Sequence, residues 1–424
     1  MRSLLAFPAF LLLLAIPCCA QTLTLQQAEQ IAIQNHPLIR AATQLASAAA
    51  AQVQETRSSY YPQASGSLTG VEAEHNSRVT ASALNNPIIY DRFSDGVTVN
   101  QLVTDFGRTY ELVKSSNLHA LAEQENVTAT RADVLLRVNQ AYFSVLKSQA
   151  VLQVAEQTVK SRQLVADQTS ALQKSNLKSG LDVSFANVDL AQAQLLLIQA
   201  QNDVQASYAD LSAALGYSDQ RTFALADQPQ QPAPPADLSP LLQEAMQRRP
   251  ELVGQGFNVK SARSYATAER DLWMPTISAV AVAGLAPYRQ DTLASRYAAA
   301  GFNINVPIFN GRLFTARKNE ATSRAAAQEQ FLRDLQNRIA RDVRTAWLNA
   351  NSAFQRLAVT EQLLNGATQA FDLAQSRYGL GLSSIVELSQ AQLNKTQAEI
   401  TRVSSQYEYE GQMAYLNYQL GRMQ

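Results

Sequence analysis

Apolar residues return every seventh position along two long stretches of this chain. Val343, Ala350, Leu357, Leu364, Phe371 and Tyr378 form one series, and Val138, Val145, Leu152, Val159 and Ala166 form the other. Trp347 and Phe354 add partners four residues beyond the first two members of the later series. A sustained seven-residue repeat predicts helices wound into left-handed coiled coils. The helix from Arg312 to about Arg377 is expected to run on the order of 100 Å at 1.5 Å per residue, far beyond a compact domain.

A different period marks four other segments, predicted as strands at about 62–72, 96–104, 275–285 and 298–308. Phe302, Ile304, Val306 and Ile308 alternate with Asn303, Asn305 and Pro307. Ile277, Ala279, Ala281 and Ala283 alternate with Ser278 and two valines, and Val97, Val99 and Val103 oppose Thr98 and Asn100. One apolar and one polar face over about ten residues suits a strand with lipid outside and water inside. A half-buried strand of a soluble sheet fits any one segment, but the two hairpins have no other sheet to join. Phe302, Ile304 and Val306 are therefore expected to face lipid, with Asn303 and Asn305 toward a pore. Unpaired strand edges cannot sit in hydrocarbon, and single-chain barrels need about eight strands. Four strands must then close with those of further copies; two, three or four copies satisfy the physics.

The chain repeats itself. His36-Pro37 is followed by Tyr61-Pro62, and Arg249-Pro250 by Met274-Pro275, at an offset of 213 (250 − 37). Phe106-Gly107-Arg108 recurs as Asn310-Gly311-Arg312, and Val138-Asn139-Gln140-Ala141-Tyr142 as Val343-Arg344-Thr345-Ala346-Trp347, the latter at an offset of 205 (343 − 138). Each half closes on Leu-Gly, at Leu215-Gly216 and Leu420-Gly421. Residues 21–227 form the first repeat and 238–424 the second. Between them 228–237 carries prolines at 229, 232, 234 and 235, a stiff exposed linker. Each half is expected to hold a short helix before its first proline, a longer one after it, two strands, and two very long helices joined by a glycine-bearing turn. Those turns are Lys178-Ser179-Gly180-Leu181 and Tyr378-Gly379-Leu380-Gly381-Leu382.

Charge and composition remove other classes. Lys+Arg 35 balances Asp+Glu 35 with no long run of one sign, which argues against a nucleic-acid partner. Arg2, the apolar Leu4–Ile16 and the small residue Ala20 read as an export signal covering residues 1–20, cleaved after Ala20. The alternative is lipid attachment at Cys18 or Cys19, with Pro17 or Cys18 then standing where a small residue is expected. Both cysteines lie in this segment, so the mature chain has no thiol chemistry. No later stretch is expected to approach a transmembrane helix. None of His36, His75 and His119 has a carboxylate or cysteine cluster at ligand spacing. No nucleophile, base or metal cluster is visible, so neither a cofactor nor an enzymatic activity is expected.

Together these features resemble the TolC-like outer-membrane efflux family. The resemblance rests on Leu25-Gln26-Gln27-Ala28-Glu29 leading to Asn35-His36-Pro37, on Tyr61-Pro62, on Gly107-Arg108 and Gly311-Arg312, and on the run from Tyr378 through Gly381 to Glu387-Leu388 and Ala391. It covers the whole mature chain. It implies a mainly helical protein with membrane strands: a homotrimer whose four strands per protomer form a twelve-stranded transmembrane β-barrel continuing into an α-helical coiled-coil tunnel. It implies an outer-membrane exit duct for an efflux pump or type I secretion system, joined to a periplasmic adaptor and an inner-membrane transporter. An exported coiled-coil structural or adhesive protein that never conducts is the other reading, and it would not need lipid-facing strands.

The resemblance also implies site residues. Tyr378, Gly381 and Glu387 match the family's periplasmic gate segment. Ser383 stands where the family often has an arginine, and Gln390 where it often has a second carboxylate. In the first half the position six after Gly180 is Ala186, followed by Asn187. The gate is thus expected to rest on Glu387, with Tyr378, Ser383, Gln390 and Asn187 around it, and with the family's arginine and second carboxylate missing from any salt-bridge lock. The tip turns at Gly180, Leu181, Gly381 and Leu382 are expected to dock the adaptor.

Overall fold

The computed structural model describes residues 22–74, 77, 89–289 and 294–423. The export signal, Cys18, Cys19 and His75 lie outside the described residues. Eight helices and four strands are described, in two passes of one order. The first pass is α1 (Leu25–Asn35), α2 (Pro37–Arg57), β1 (Gln63–Val71), β2 (Arg92–Thr104), α3 (Arg108–Lys174) and α4 (Gly180–Ala214). The second is α5 (Ser239–Arg248), α6 (Pro250–Arg270), β3 (Thr276–Arg289), β4 (Arg296–Asn305), α7 (Leu313–Gly379) and α8 (Ile385–Gln419). Pro37 and Pro250 each open a helix, where a missing N–H costs nothing.

The chain forms two compact units, and they cut across the repeats. One comprises Met1–His36, Arg137–Pro232 and Ala353–Gly411; the other comprises Pro37–Leu136, Ala233–Ser352 and Gln412–Gln424. Both α3 and α7, at 67 residues each, run through the two units, so the units divide these helices at 136/137 and 352/353 as well as the linker at 232/233.

In the unit that holds the strands, side-chain contacts place the helices in the order α2, α3, α6, α7. Ala42 and Ala46 of α2 cluster with Val127 of α3. Ser115 of α3 and Ser261 of α6 each donate a hydroxyl to the other's carbonyl, at 2.9 and 2.8 Å. Gln255 of α6 donates to Gln328 of α7 at 2.8 Å, and Arg263 pairs with Glu329 at 2.6 Å. The sheet follows chain order, β1-β2-β3-β4, antiparallel throughout. Phe302 stands opposite Ala279 and Ile304 opposite Ile277, whereas Asn303 stands opposite Ser278. Opposed residues share a face, so each strand's alternation continues across its neighbour.

Three strand expectations change. Val306 lies beyond β4, which stops at Asn305: β3 begins at Thr276, the partner of Asn305, and Pro307 has no N–H to extend a ladder. The second strand starts at Arg92, ahead of 96. Val103 has no partner, because the register shifts between Leu102 and Thr104, and a bulge there breaks its alternation with Val97 and Val99.

In the other unit, α3 packs with α4 and α8. Tyr142 is fully buried, its hydroxyl 2.6 Å from the Ala226 carbonyl and 2.9 Å from that of Leu23. By length and composition α4 is apolar enough to cross a membrane, contrary to the sequence expectation that no later stretch would be. It is an Ala- and Leu-rich helix with Val188, Leu195 and Ile198 exposed in the single chain, and it also carries Asp182, Asp189, Asp203 and Asp210.

The Leu-Gly pairs have a structural cause. Gly216 and Gly421 follow α4 and α8 with φ of +84° and +71°. A Cβ on Gly216 would fall 2.9 Å from the Cα of His36, and one on Gly421 2.9 Å from the carbonyl carbon of Arg248. A left-handed helix stop and a close backbone approach coincide, and glycine alone satisfies both. The linker is also more than a spacer. Pro234 is buried, Tyr409 donates to the Pro232 carbonyl, and Trp347 Nε1 donates to the Pro235 carbonyl at 2.8 Å. A segment without regular structure must hand its carbonyls to some donor, and aromatic side chains supply it here.

Candidate gate at the helix reversals

Both reversals between long helices use one device. At the end of α3, Leu177 N–H returns to the Leu172 carbonyl at 2.9 Å, with Asn176 left-handed at φ 58°. At the end of α7, Leu382 N–H returns to the Arg377 carbonyl at 2.8 Å, with Gly381 left-handed at φ 74°. These six-to-one bonds satisfy carbonyls that the helix leaves open. The 205-residue offset relates Asn176 to Gly381 (381 − 176). Asparagine tolerates the left-handed region better than other side chains, so it replaces glycine in the first half. Gly180 is therefore not the residue that turns the chain. It is the first residue of α4, it has no positive φ, and nothing lies within 4 Å of an added Cβ.

The same offset resolves the missing carboxylate. Asp182 corresponds to Glu387 (387 − 182), and each is the third residue of its helix. Ser179 caps α4, accepting the Asp182 N–H at 3.2 Å while the Asp182 carboxylate accepts the Ser179 N–H at 2.9 Å. The Ser179 N–H, and then its hydroxyl, hold the Asp182 carboxyl below the ordinary range. In the second half Ser384 accepts the Glu387 N–H at 3.3 Å. Carboxylates in a first helical turn oppose the positive end of the helix dipole. Glu387 thus has a local structural reason to be acidic.

Glu387 also has a cation. Arg377 Nε lies 3.7 Å from Glu387 Oε1 across the reversal, and its Nη2 reaches the Leu382 carbonyl at 3.4 Å. Ser383 stands two residues after the glycine, where the resemblance led to an arginine being expected; here Arg377, four residues before Gly381, reaches Glu387 instead. Tyr378 packs against the cluster of Phe371, Ile385 and Leu388, and Lys178 from the first reversal sits over its ring at 3.9 Å. The two reversals are thereby joined by a cation on an aromatic face. The Tyr378 and Ser383 hydroxyls are buried with no hydrogen-bond partner among the described residues. Gln390 donates to Asn394 at 3.0 Å along the exposed side of α8, and Asn187 is exposed on α4. Neither joins Glu387. Leu181 and Leu382 are exposed beside the reversals.

Farther along the same helices lies a buried polar node absent from the sequence reading. Arg162 of α3 donates to Asp189 of α4 at 2.8 Å, with side-chain exposures of 7% and 17%. Ser389 of α8 donates its hydroxyl to the same Asp189 oxygen, and Arg162 Nη2 reaches the Ser389 carbonyl at 3.4 Å. One turn on, Gln392 of α8 donates to Ser161 at 2.8 Å, and Thr158 meets Thr396 at 3.4 Å. Residues 158, 161 and 162 share one face of α3, and 389, 392 and 396 one face of α8. This ladder ties the helix pair of the first repeat to α8 of the second. Its sequence signal was a charge inside the apolar heptad run of α3, at Arg162. Among the described residues no cluster of three metal-ligating side chains occurs.

The sequence profile of the outer membrane efflux protein family matches residues 29–217 and 241–422, one segment in each repeat. The toluene efflux pump outer membrane protein TtgC of Pseudomonas putida is 25% identical over 387 residues, covering 88% of this chain and 78% of that protein. The outer membrane protein TolC of Escherichia coli is 21% identical over 431 residues, covering 96% and 84%. Among solved structures, the CmeC outer membrane channel of Campylobacter jejuni superposes with a TM-score of 0.82 at 16% identity, over 94% of this chain and 85% of that one. VceC of Vibrio cholerae gives 0.80 at 16% identity, over 94% and 96%. Duplicated strands, paired 67-residue helices and a match through both halves lead to one assignment: this chain is a member of the outer membrane efflux protein family.

Proposed function

We propose that three copies of this chain form an outer-membrane exit duct of a tripartite efflux pump or type I secretion system. The observation that carries the reading is the four-stranded antiparallel sheet with β1 and β4 as open edges. In hydrocarbon such edges must pair, and three copies give the twelve strands of a closed barrel. The duct does no chemistry; a periplasmic adaptor and an inner-membrane transporter supply substrate and energy. Mass measurement in mild detergent tests the assembly: a trimer is expected, a monomer overturns the shared barrel, and a dimer or tetramer overturns the copy number.

The reversals form the periplasmic mouth in this reading, with Glu387 at the constriction and Arg377 tempering its charge. Leu181 and Leu382, exposed at the two turns, supply apolar contacts to the adaptor. Leu181→Glu and Leu382→Glu should abolish efflux while leaving the trimer intact. Cross-linking of an adaptor only near Pro232 would overturn this docking site.

A further inference from the structure

We infer that Glu410 and the linker segment from Asp227 to Pro232 form a proton-operated clasp, closed when Glu410 carries a proton and loosened when it ionises. The inference concerns the junction of the two repeats and does not depend on the duct reading.

Glu410, on α8, is only 3% exposed. One carboxyl oxygen, Oε1, accepts the backbone N–H of Gln231 at 3.1 Å. The other, Oε2, is buried with no hydrogen-bond partner among the described residues. No ion pair reaches Glu410 or Asp227 among the described residues, so a negative charge on Glu410 would have no cation beside it. The cations nearest in sequence are committed elsewhere: Arg402, nearest to Glu410, pairs with Glu361, and Arg221, nearest to Asp227, pairs with Asp219.

The titratable groups facing this site come from the linker, α8 and α3. Asp227 of the linker adds like charge to Glu410. Tyr409 of α8 donates to the Pro232 carbonyl, so its hydroxyl proton is already used on the linker. Tyr407 of α8 is hydrogen-bonded to Asp227, and Tyr142 of α3 reaches the Ala226 carbonyl at 2.6 Å. Burial pushes Tyr407, Tyr409 and Tyr142 up, Tyr409 to about 12, so all three stay neutral in ordinary conditions. That leaves the Glu410 carboxyl, raised by its burial, as the titrating group of the clasp.

Burial, with Asp227 adding to it, raises the Glu410 carboxyl; the Gln231 bonds oppose this without cancelling it. A raised carboxyl means that the packed state holds its proton to higher pH than the released state does. Closure is therefore favoured below the ordinary carboxylate range and weakens as pH rises through the raised value. The neutral acid keeps Oε1 as acceptor for Gln231 while the proton sits on the otherwise unpartnered Oε2. Ionisation instead buries an unpaired charge beside Asp227. The linker's prolines leave few N–H groups for attachment, so the Gln231 bond is its N–H fastening to α8, beside the carbonyl held by Tyr409.

The test is amide hydrogen exchange at Gln231 on the assembled full-length protein in detergent, corrected for intrinsic exchange with an unstructured peptide of the same sequence. Protection of the natural chain should fall as pH rises from the ordinary carboxylate range through the raised Glu410 value, by about tenfold for each pH unit by which ionisation is delayed. Glu410→Gln, neutral at every pH and of the same shape, should hold that protection constant. Asp227→Asn should shrink the fall by removing the neighbouring charge. Constant protection in the natural chain, or an equal fall in Glu410→Gln, overturns the clasp. If Glu410→Gln does not assemble, Asp227→Asn decides, and an undiminished fall there overturns it.

Discussion

Arg377 and Glu387 face each other across the α7–α8 reversal, guanidinium to carboxylate at 3.7 Å, with both side chains about half exposed. In the proposed mouth, this geometry changes what a ring of Glu387 side chains would do. A bare ring of three carboxylates attracts cations strongly, whereas one flanked by three guanidiniums presents little net field. Cation selectivity of the natural channel in planar bilayers should accordingly be weak. Arg377→Gln should raise it by unmasking the ring, and Glu387→Gln should shift preference toward anions and remove block by multivalent cations. Unchanged selectivity in both variants would place the constriction elsewhere.

Arg162 and Asp189 predict a larger structural effect. Removing one member of a buried pair leaves its partner uncompensated, which costs about 3–5 kcal/mol. Asp189→Ala should thus lower the thermal midpoint clearly, and Ser389→Ala should lower it less because the ion pair survives. Arg162→Met combined with Asp189→Leu should recover most of the loss, since apolar replacement of a whole buried pair is often neutral. Calorimetry of the four proteins in one detergent separates these outcomes.

The sequence carried the repeat, the heptads and the strand alternation because each is periodic, and periodic burial leaves a periodic trace. It was silent where a role moves without a periodic cost. Asn176 does what Gly381 does, so a search for glycine settled on Gly180, four residues away. Counting from that wrong anchor reached Ala186 and missed Asp182, the true counterpart of Glu387. Arg377 escaped because salt bridges form across space and its partner lies beyond the turn. Val103 escaped because a one-residue bulge reverses parity without altering composition.

Substitution at three glycines distinguishes the two meanings of that residue. Gly180→Ala adds a methyl to the first turn of α4 where nothing lies within 4 Å, and should be neutral or stabilising by about 0.5–1 kcal/mol. Gly216→Ala and Gly421→Ala impose a left-handed alanine and a Cβ against backbone, and should each cost on the order of 1–3 kcal/mol. Equal thermal midpoints for the three variants would contradict the assigned cap geometry.

The membrane register gives the sharpest contrast within one strand. Ile304 lies on the sheet face shared with Ile277, and adjacent Asn303 lies on the face shared with Ser278. If the apolar face meets lipid, Ile304→Arg places a cation in hydrocarbon, at about 2–4 kcal/mol per protomer near the bilayer midplane. Three copies multiply that cost, so trimer yield in the outer membrane should collapse. Asn303→Arg puts the same side chain toward water and should assemble normally, while shifting single-channel selectivity toward anions. Val306 lies past the end of β4, so Val306→Arg should be milder than Ile304→Arg even though all three residues follow one alternating pattern. Heat-resistant trimer on gels, scored for the three variants, reads the register directly. Equal yields for Ile304→Arg and Asn303→Arg would mean that the two faces are not lipid and water, and the shared-barrel reading would fall with them.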